Sequence, residues 1–296
     1  MPSPYQLLAL DLDGTVFDPS GQVPDENVRA IRDARRAGLR VVVCTGRGLK
    51  ECLHGLRAIE QVDPVVVAGG AIIADPASHS TLHRFHIHQD LVERAVARVL
   101  DSRHAALVLK DPADAGFDYL VVNPDGCPLD PVTQWWFAKM NVEVRFVESL
   151  RQDPAPHATV RVGACGRGHD LDRTRVELER SLGDEAVIHN FPAVVAPQHV
   201  KTLSDGQTLN ILEVFDKDAT KWSAISHLAL RWEIDPARVV AIGDEINDVS
   251  MIRAAGLGIA MGNAIDAVKS VARKVTRPNT EAGVAHAIDR VLSGEW

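Results

Sequence analysis

The residues most able to do chemistry follow the first apolar run of the chain. Leu7–Leu10 predicts a short buried strand, and Asp11, Asp13 and Gly14 come directly after it. If the strand continued through residue 13, Asp11 and Asp13 would share one face, because side chains alternate along a strand. Two carboxylates that close resist full ionisation unless a cation neutralises them or one of them is protonated. The pair is therefore a candidate metal or acid/base site.

A second polar cluster follows the strand predicted over Arg40–Cys44. Thr45, Gly46 and Arg47 bring a hydroxyl, open backbone N–H groups and a cation to the end of that strand. Such a turn can bind an anion. The same tripeptide is also common in ordinary turns, so this motif alone leaves both interpretations open.

Further charged candidates accompany a later helix and strand. Lys221 lies in the first turn of a helix predicted to end at Leu230, and a helix N-terminus favours anions. Lys221 therefore indicates a shared anion there, the alternative being a solvated lysine. After the strand Val239–Ile242, Asp244 and Asp248 are four residues apart, which places both on one face of a helical turn. A divalent cation would offset their repulsion, and oxygen ligands without Cys or His favour Mg²⁺ over zinc.

Regular alternation of apolar runs and helical patterns should position these residues. Repeated strand, turn and helix predict a parallel sheet, whose ligands gather at the carboxyl ends of its strands. From about residue 82 the pattern changes to short strands with two amphipathic helices, which predicts a separate domain. We therefore expect a discontinuous core formed by residues 1–81 and 214–296, with residues 82–213 as an α/β insert.

Two local predictions concern packing and helix ends. Asn279 and Thr280 are side chains that often cap helices, and they precede the last helical pattern of the chain. Trp135–Phe137 is a large apolar run, which favours packing in a core or between domains over the lining of a substrate pocket.

Composition limits the class of protein and of partner. The chain has 296 residues, 46% hydrophobic and 24% charged, which is typical of a globular protein with a sizeable core. Its net charge of -8 gives no overall attraction to nucleic acid or to an anionic membrane. The four cysteines show neither zinc-site nor disulfide spacing, and the first residues resemble no signal peptide. We expect a cytoplasmic protein, and the sequence leaves its oligomeric state open.

The motifs together resemble those of a known family. The likeness rests on Asp11-Leu12-Asp13-Gly14-Thr15, Thr45-Gly46-Arg47, Lys221 and Gly243-Asp244-Glu245-Ile246-Asn247-Asp248. This set is similar to the four motifs of the haloacid dehalogenase (HAD) superfamily of phosphohydrolases. Within it, the chain resembles the Cof-like subgroup, HAD-IIB, which carries a large α/β cap between motifs two and three. The likeness covers nearly the whole chain, although Gly69 stands where the subgroup usually has asparagine.

The resemblance implies a fold and a role for each motif residue. The implied fold is α/β, with a Rossmann-like parallel-sheet core and an inserted α/β cap. Asp11 would be the nucleophile that attacks phosphorus, and Asp13 would protonate the leaving oxygen and later activate water. The implied Mg²⁺ ligands are Asp11, the backbone carbonyl of Asp13, and Asp244, supported by Asp248 and Asn247. The implied phosphoryl-binding groups are Thr45, Gly46, Lys221 and Asn247.

The implied function is a Mg²⁺-dependent phosphomonoesterase acting on a small phosphorylated metabolite. One alternative is a phosphomutase or phosphotransferase of the same superfamily, in which a substrate hydroxyl replaces water. Another is a phospho-accepting signalling module, because receiver domains also combine aspartates with a threonine and a lysine on a parallel sheet. Candidate substrate contacts are Arg47 beside the second motif, and Arg161 and His189 in the cap.

Overall fold

The computed structural model describes residues 4–193 and 209–296, which form two compact units. One unit comprises the residues up to His83 together with Thr220–Trp296, and the other comprises Arg84–Ala219. Residues 214–219 thus belong to the second unit rather than to the first. The physical reason is that the strand Leu209–Asp216 continues to pair with its neighbour in the second unit as far as Asp216.

The secondary structure alternates strands and helices along most of the described chain. The described strands are β1 (Leu7–Leu10), β2 (Arg40–Val43), β3 (Val65–Val67), β4 (Ile72–Ala74), β5 (Thr81–Arg84), β6 (Ala106–Lys110), β7 (Tyr119–Val122), β8 (Val144–Val147), β9 (Thr159–Arg167), β10 (Ala186–Pro192), β11 (Leu209–Asp216), β12 (Val239–Gly243), β13 (Leu257–Ala260) and β14 (Lys274–Val275). The described helices are α1 (Asp25–Arg36), α2 (Leu49–Ala58), α3 (Gln89–Asp101), α4 (Pro112–Ala115), α5 (Pro131–Met140), α6 (Gly168–Leu182), α7 (Lys221–Arg231), α8 (Val249–Ala254), α9 (Asp266–Val271) and α10 (Gly283–Leu292).

The first unit contains a parallel sheet with the strand order β14-β13-β12-β1-β2. In the central strand, Leu8 pairs with Val41 on one side and with Val240 on the other, so β1 is apolar and buried along its whole length. The chain leaves β1 for β2 on one side and later returns to β12 on the other side. In such sheets ligands bind beyond the carboxyl ends of the strands, where the order reverses. The loops after β1, β2 and β12 are therefore the expected place for a site.

The last helix begins later than its sequence suggests. α10 starts at Gly283, after Ala282 in a left-handed conformation with φ 50°, so the prediction that Asn279 and Thr280 cap this helix is wrong. Asn279 instead donates its side-chain amide to the carbonyl oxygen of Phe17, at 2.9 Å. The Asn279 side chain makes a tertiary hydrogen bond instead of a local cap, and the spacing of residues in the sequence does not indicate such a distant partner.

The second unit contains a six-stranded sheet with the order β10-β11-β9-β6-β7-β8. Its paired strands are antiparallel except β7 and β8, which run parallel. Alternate residues of β6 (Ala106 and Val108) and β9 (Val162 and Ala164) enter a core with side chains of α3 and α6. The alternation arises because successive side chains of a strand point to opposite faces. This unit has its own core, as expected for an independent α/β domain.

The aromatic run on α5 is half-buried rather than part of that core. Phe137 lies against the ring of Tyr119 with 5.0 Å between centroids, and the Lys139 ammonium lies 4.6 Å from the centre of a Trp135 ring. α5 buries Val132 and Thr133 in its first turn, whereas the three aromatic residues that follow are only partly buried. These aromatic residues therefore lie outside the buried core of this unit, and their packing between the domains stays a prediction.

Candidate active site

The two aspartates of the first motif face different partners. β1 ends at Leu10, and the following residues form a wide loop closed by backbone hydrogen bonds, so the strand does not continue through residue 13. The carboxylate of Asp11 accepts a hydrogen bond from Lys221, whereas that of Asp13 binds Arg47. The prediction of two carboxylates sharing one face of a strand is wrong. The turn separates them and gives each its own cation.

Lys221 lies at the centre of the site. Its Nζ donates to Asp11 Oδ1 and to Asp248 Oδ1, both at 2.6 Å, and the lysine is fully buried. It is the first residue of α7, whose N-terminus is capped by the Thr220 hydroxyl accepting from Ser223 N at 3.0 Å. A buried ammonium is stable only when it is paired and hydrogen-bonded. Lys221 therefore joins the loop after β1 to the loop after β12.

Asp248 fixes the loop that follows β12. Its Oδ1 accepts the hydrogen bond from Lys221 Nζ. Its Oδ2 accepts hydrogen bonds from the backbone N–H groups of Asp244 (2.8 Å) and Glu245 (3.0 Å). Both of its carboxylate oxygens are thus engaged. On the other side of the loop, Asp244 Oδ1 accepts a hydrogen bond from the hydroxyl of Thr15 at 2.8 Å. These contacts turn the Asp244 carboxylate toward the loop after β1.

Gly14 allows that close approach. Its φ is +76°, and a Cβ at this position would lie 2.1 Å from Asp244 Oδ2. Asn263, which the motifs did not identify, bridges the same two loops: its Nδ2 donates to Gly14 O at 2.9 Å and lies 3.3 Å from Asp244 Oδ2. Its Oδ1 accepts from Asn279 N at 2.9 Å. The available signal was its place just beyond the end of β13, where the rule for parallel sheets also applies.

Burial and mutual repulsion shift the titration of this cluster. Burial, and then the charge of Asp248, raise the pKa of Asp11 well above its ordinary value. The same two causes raise the pKa of Asp244 to about 7. Burial opposes the charged form of Lys221, but the carboxylates of Asp11 and Asp248 outweigh it and raise the lysine's pKa. When all three carboxylates are ionised, the single ammonium of Lys221 leaves the cluster with excess negative charge.

The second and fourth motifs approach each other beside this cluster. Thr45 is fully buried, and its hydroxyl accepts a hydrogen bond from Arg47 N at 3.2 Å. A Cβ on Gly46 would lie 3.4 Å from Asn247 Nδ2, so these two residues are neighbours. The buried Oδ1 of Asn247 has no hydrogen-bond partner among the described residues.

The sequence candidates in the second unit lie on its sheet. Arg161, on β9, binds the carboxylate of Glu213 through Nη1 and donates from Nη2 to the hydroxyl of Tyr119 at 3.0 Å. His189, on β10, places its ring 5.9 Å from that of Phe215. Arg161 is buried in this neutralised pair, so its guanidinium is already held by protein groups.

The acidic cluster fits a hard divalent cation. Ligand oxygens of Asp11, Asp244 and Asp248 all lie within 4.8 Å of one another. Carboxylate oxygens with excess negative charge are the donors that Mg²⁺ prefers, and a cation would offset the repulsion that raises the pKa values of Asp11 and Asp244. The Asp13 carboxylate is not part of this group, and a role for its backbone carbonyl stays a prediction.

The sequence matches the model of the haloacid dehalogenase-like hydrolase family over residues 8–288. The chain belongs to this family. Phosphatase YwpJ of Bacillus subtilis is 28% identical over 296 residues, which cover 97% of this chain and 100% of YwpJ. A second B. subtilis relative, 5-amino-6-(5-phospho-D-ribitylamino)uracil phosphatase YwtE, is 27% identical, with 98% of this chain and 99% of YwtE covered.

Solved structures give the same answer for the fold. The sugar phosphatase BT4131, of HAD subclass IIB, superposes with a TM-score of 0.76 at 20% identity, covering 96% of this chain and 98% of that chain. The predicted α/β fold class and the predicted HAD family are thereby confirmed, and the chain is an enzyme of the HAD phosphatase type. Within the described residues, every helix is too short or too polar to cross a membrane.

Proposed function

We propose that this HAD phosphatase hydrolyses phosphomonoesters of small metabolites, with Mg²⁺ as cofactor and with Asp11 as the nucleophile. The observation that carries the proposal is the position of the Asp11 carboxylate, which lies beyond the central strand with Oδ1 held by Lys221. Its Oδ2 accepts no hydrogen bond from the part of the chain that the structure describes, so this oxygen is the candidate attacking atom.

The metal would be held by Asp11 and Asp244, with the backbone carbonyl of Asp13 as a further ligand. Asp248 would contribute charge and orient the loop, since both of its oxygens already bind protein groups. When bound, Mg²⁺ would neutralise part of the negative charge and polarise a phosphoryl oxygen.

In the first step, Asp11 Oδ2 forms a bond to phosphorus as the ester bond to the leaving oxygen breaks. Asp13 donates a proton to that oxygen, so the alcohol leaves neutral. Lys221, the Thr45 hydroxyl and the Gly46 N–H group would bind the phosphoryl oxygens. Stabilising the negative charge of the transferred phosphoryl group in the transition state is a large part of catalysis in such reactions.

In the second step, water attacks the phosphorus of the aspartyl-phosphate while Asp13 accepts its proton. The bond from phosphorus to Asp11 breaks, which releases inorganic phosphate and restores the carboxylate. Uncatalysed phosphomonoester hydrolysis is so slow that enzymes accelerate it by up to ~10²¹-fold, or roughly 28 kcal/mol. One carboxylate alone does not supply an acceleration of this size, whereas a metal, a lysine, backbone donors and a second carboxylate acting together can.

The substrate is proposed to be a small phosphorylated metabolite, such as a sugar phosphate. Support comes from the name of YwtE, which describes a phosphatase for a phosphorylated ribityl compound. We also propose that the insert selects the substrate, because all motif residues lie outside residues 82–213. The candidate substrate contacts there are His189 and Arg161, the latter already bound to Glu213 and Tyr119.

The test is phosphate release from a panel of phosphorylated sugars, nucleotides, cofactors and 4-nitrophenyl phosphate, with and without Mg²⁺. We expect activity that disappears in excess chelator, and an Asp11→Asn variant that folds but does not turn over, because the amide is no nucleophile. A variant with a tenth of the wild-type rate would rule out Asp11 as nucleophile. Transfer of phosphate to an added sugar without release would favour the phosphotransferase alternative.

A further inference from the structure

Arg47 holds Asp13 through two parallel hydrogen bonds. Nε donates to Asp13 Oδ2 at 2.7 Å and Nη2 donates to Asp13 Oδ1 at 2.5 Å. A guanidinium that binds both oxygens fixes the plane of the carboxylate as well as its position. The sequence suggested Arg47 as a substrate contact, whereas in the structure its donors on this edge are directed at Asp13.

Arg47 is itself held on its other sides. Its Nη1 donates to the carbonyl oxygen of Glu51 in α2 at 3.1 Å, and its guanidinium carbon lies 5.3 Å from the centre of the Phe17 ring. The Glu51 carboxylate in turn accepts from Gly48 N at 2.7 Å, which anchors the start of α2. The Arg47 side chain is only 9% exposed. It is thus a fixed support, not a mobile surface cation.

We propose that Arg47 is a positioning residue for Asp13, and the proposal rests on the acid/base role given to Asp13 above. Arg47 draws the Asp13 carboxylate out of the group formed by Asp11, Asp244 and Asp248. It thereby keeps the proton-transfer group apart from the nucleophile, although the two residues are separated by only one position in the sequence. Without this support, Asp13 would sample several rotamers, and few of them would reach the leaving oxygen.

A positioning role has a signature that a structural or phosphate-binding role lacks. A general acid matters most when the leaving oxygen is basic, and little when it leaves readily as an anion. Phenyl phosphate and 4-nitrophenyl phosphate have the same phosphoryl group, but phenolate is the more basic leaving group. Loss of acid positioning should therefore slow phenol release more than nitrophenol release.

The experiment measures single-turnover release of phenol and of nitrophenol, with enzyme in excess and Mg²⁺ present. This isolates the first step from the later attack of water. The variants are Arg47→Gln, Arg47→Lys, Asp13→Asn and the double variant Asp13→Asn/Arg47→Gln. The matched control is Arg40→Gln. Arg40 begins the strand that Arg47 follows, pairs with Asp63 at 2.9 Å and lies 4.4 Å over the Trp232 ring, so the control also loses a paired and stacked arginine, at a more exposed position.

We expect Arg47→Gln to lower the phenol rate about tenfold more than the nitrophenol rate, within the ~10²–10⁴-fold that acid/base catalysis contributes. Arg47→Lys should fall between wild type and Arg47→Gln, because an ammonium cannot make the paired contact. Asp13→Asn should change the ratio of the two rates in the same direction. In the double variant the second change should add little, since both remove one function. Arg40→Gln should leave the ratio unchanged.

Equal losses on the two substrates in Arg47→Gln, with Asp13→Asn still selective, would overturn the positioning role and leave the proposed function intact. An unchanged ratio in Asp13→Asn would overturn the acid role of Asp13 and the inference with it. Full additivity in the double variant would also contradict the inference. Thermal denaturation of each variant shows whether a rate loss comes from loss of fold.

Discussion

The charge balance of the acidic cluster has a measurable effect on stability. Asp244 has a pKa raised from 3.8 to about 7, so the folded protein binds this proton more tightly than the unfolded chain does. Stability from this group is therefore full below about pH 4 and is lost as the pH rises to about 7. The shift corresponds to at most roughly 4 kcal/mol. Thermal denaturation in chelator across this range should show the loss.

The control for that effect is Asp244→Asn. The amide does not titrate, so the metal-free variant should be the more stable protein at pH 8 and should show a flatter pH profile. Excess Mg²⁺ should raise the melting temperature of the wild type and not that of the variant, because only the carboxylate form binds the cation strongly. A variant that melts lower than wild type in chelator at pH 8 would contradict the assigned repulsion.

Lys221→Ala should reduce both activity and stability. Two unit charges ~4 Å apart interact by on the order of 4 kcal/mol at an effective dielectric near 20, which is about a thousandfold in rate. The same change leaves the Asp11 and Asp248 carboxylates buried without their cation, which costs about 3–5 kcal/mol. Steady-state kinetics and denaturant unfolding measure the two effects. Lys217→Ala, an exposed lysine before α7, should change neither.

The sequence could predict only those site residues whose positions follow from the ends of the strands. Asp11, Lys221 and Asp244 come together because their strands or adjoining helices meet at one edge of the parallel sheet. The orientation of Asp13 and the bridging contacts of Asn263 depend on how the loops turn. Loop geometry is set by tertiary hydrogen bonds between distant residues, so no local pattern in the sequence indicates it.

At the scale of elements, the start of α7 depends on Gly70. Its φ is +115°, and a Cβ there would lie 2.2 Å from the carbonyl carbon of Thr220, next to Lys221. Gly70→Ala should therefore displace the N-terminus of α7, with a loss of about 3 kcal/mol or more in stability and a lower kcat. Denaturant unfolding and steady-state kinetics measure both.

Gly38 provides the matched control for this prediction. It has a similar φ of +93°, but a Cβ there would meet nothing within 4 Å. Gly38→Ala should lower the free energy of unfolding only by the cost of a left-handed backbone for alanine, about 1–2 kcal/mol, and leave kcat unchanged. Equal effects of the two substitutions would show that crowding against α7 is not what makes Gly70 necessary.

Elements themselves were more predictable than their ends. Apolar runs such as Val239–Ile242 are too hydrophobic for an exposed strand, and the observed strand β12 differs from that run only by adding Gly243. The start of α10 was missed because Asn279 has the chemistry of a cap but serves a tertiary contact. Periodicity reports which face is buried, whereas the end of a helix depends on partners elsewhere in the chain.

At the scale of the whole molecule, the proposed division of labour predicts how substitutions in the insert behave. Arg161→Met/Glu213→Leu removes the buried ion pair as a unit, which avoids an uncompensated charge, and His189→Leu removes the second candidate contact. Both should change the relative kcat/KM among sugar phosphates more than the rate on 4-nitrophenyl phosphate. Loss of aryl phosphate hydrolysis in a folded variant would instead place catalytic groups in the insert.

The order of strands in the first sheet also has a consequence for synthesis on the ribosome. β1 is made early, but one of its two pairing edges waits for β12, which emerges only after the whole second unit. The inserted unit, with its own core, can fold first, while the sheet around β1 keeps an open edge until Val239–Gly243 has been translated. A fragment of residues 1–219 that has left the ribosome should hence carry a protease-resistant insert and a sheet that is prone to associate through that open edge.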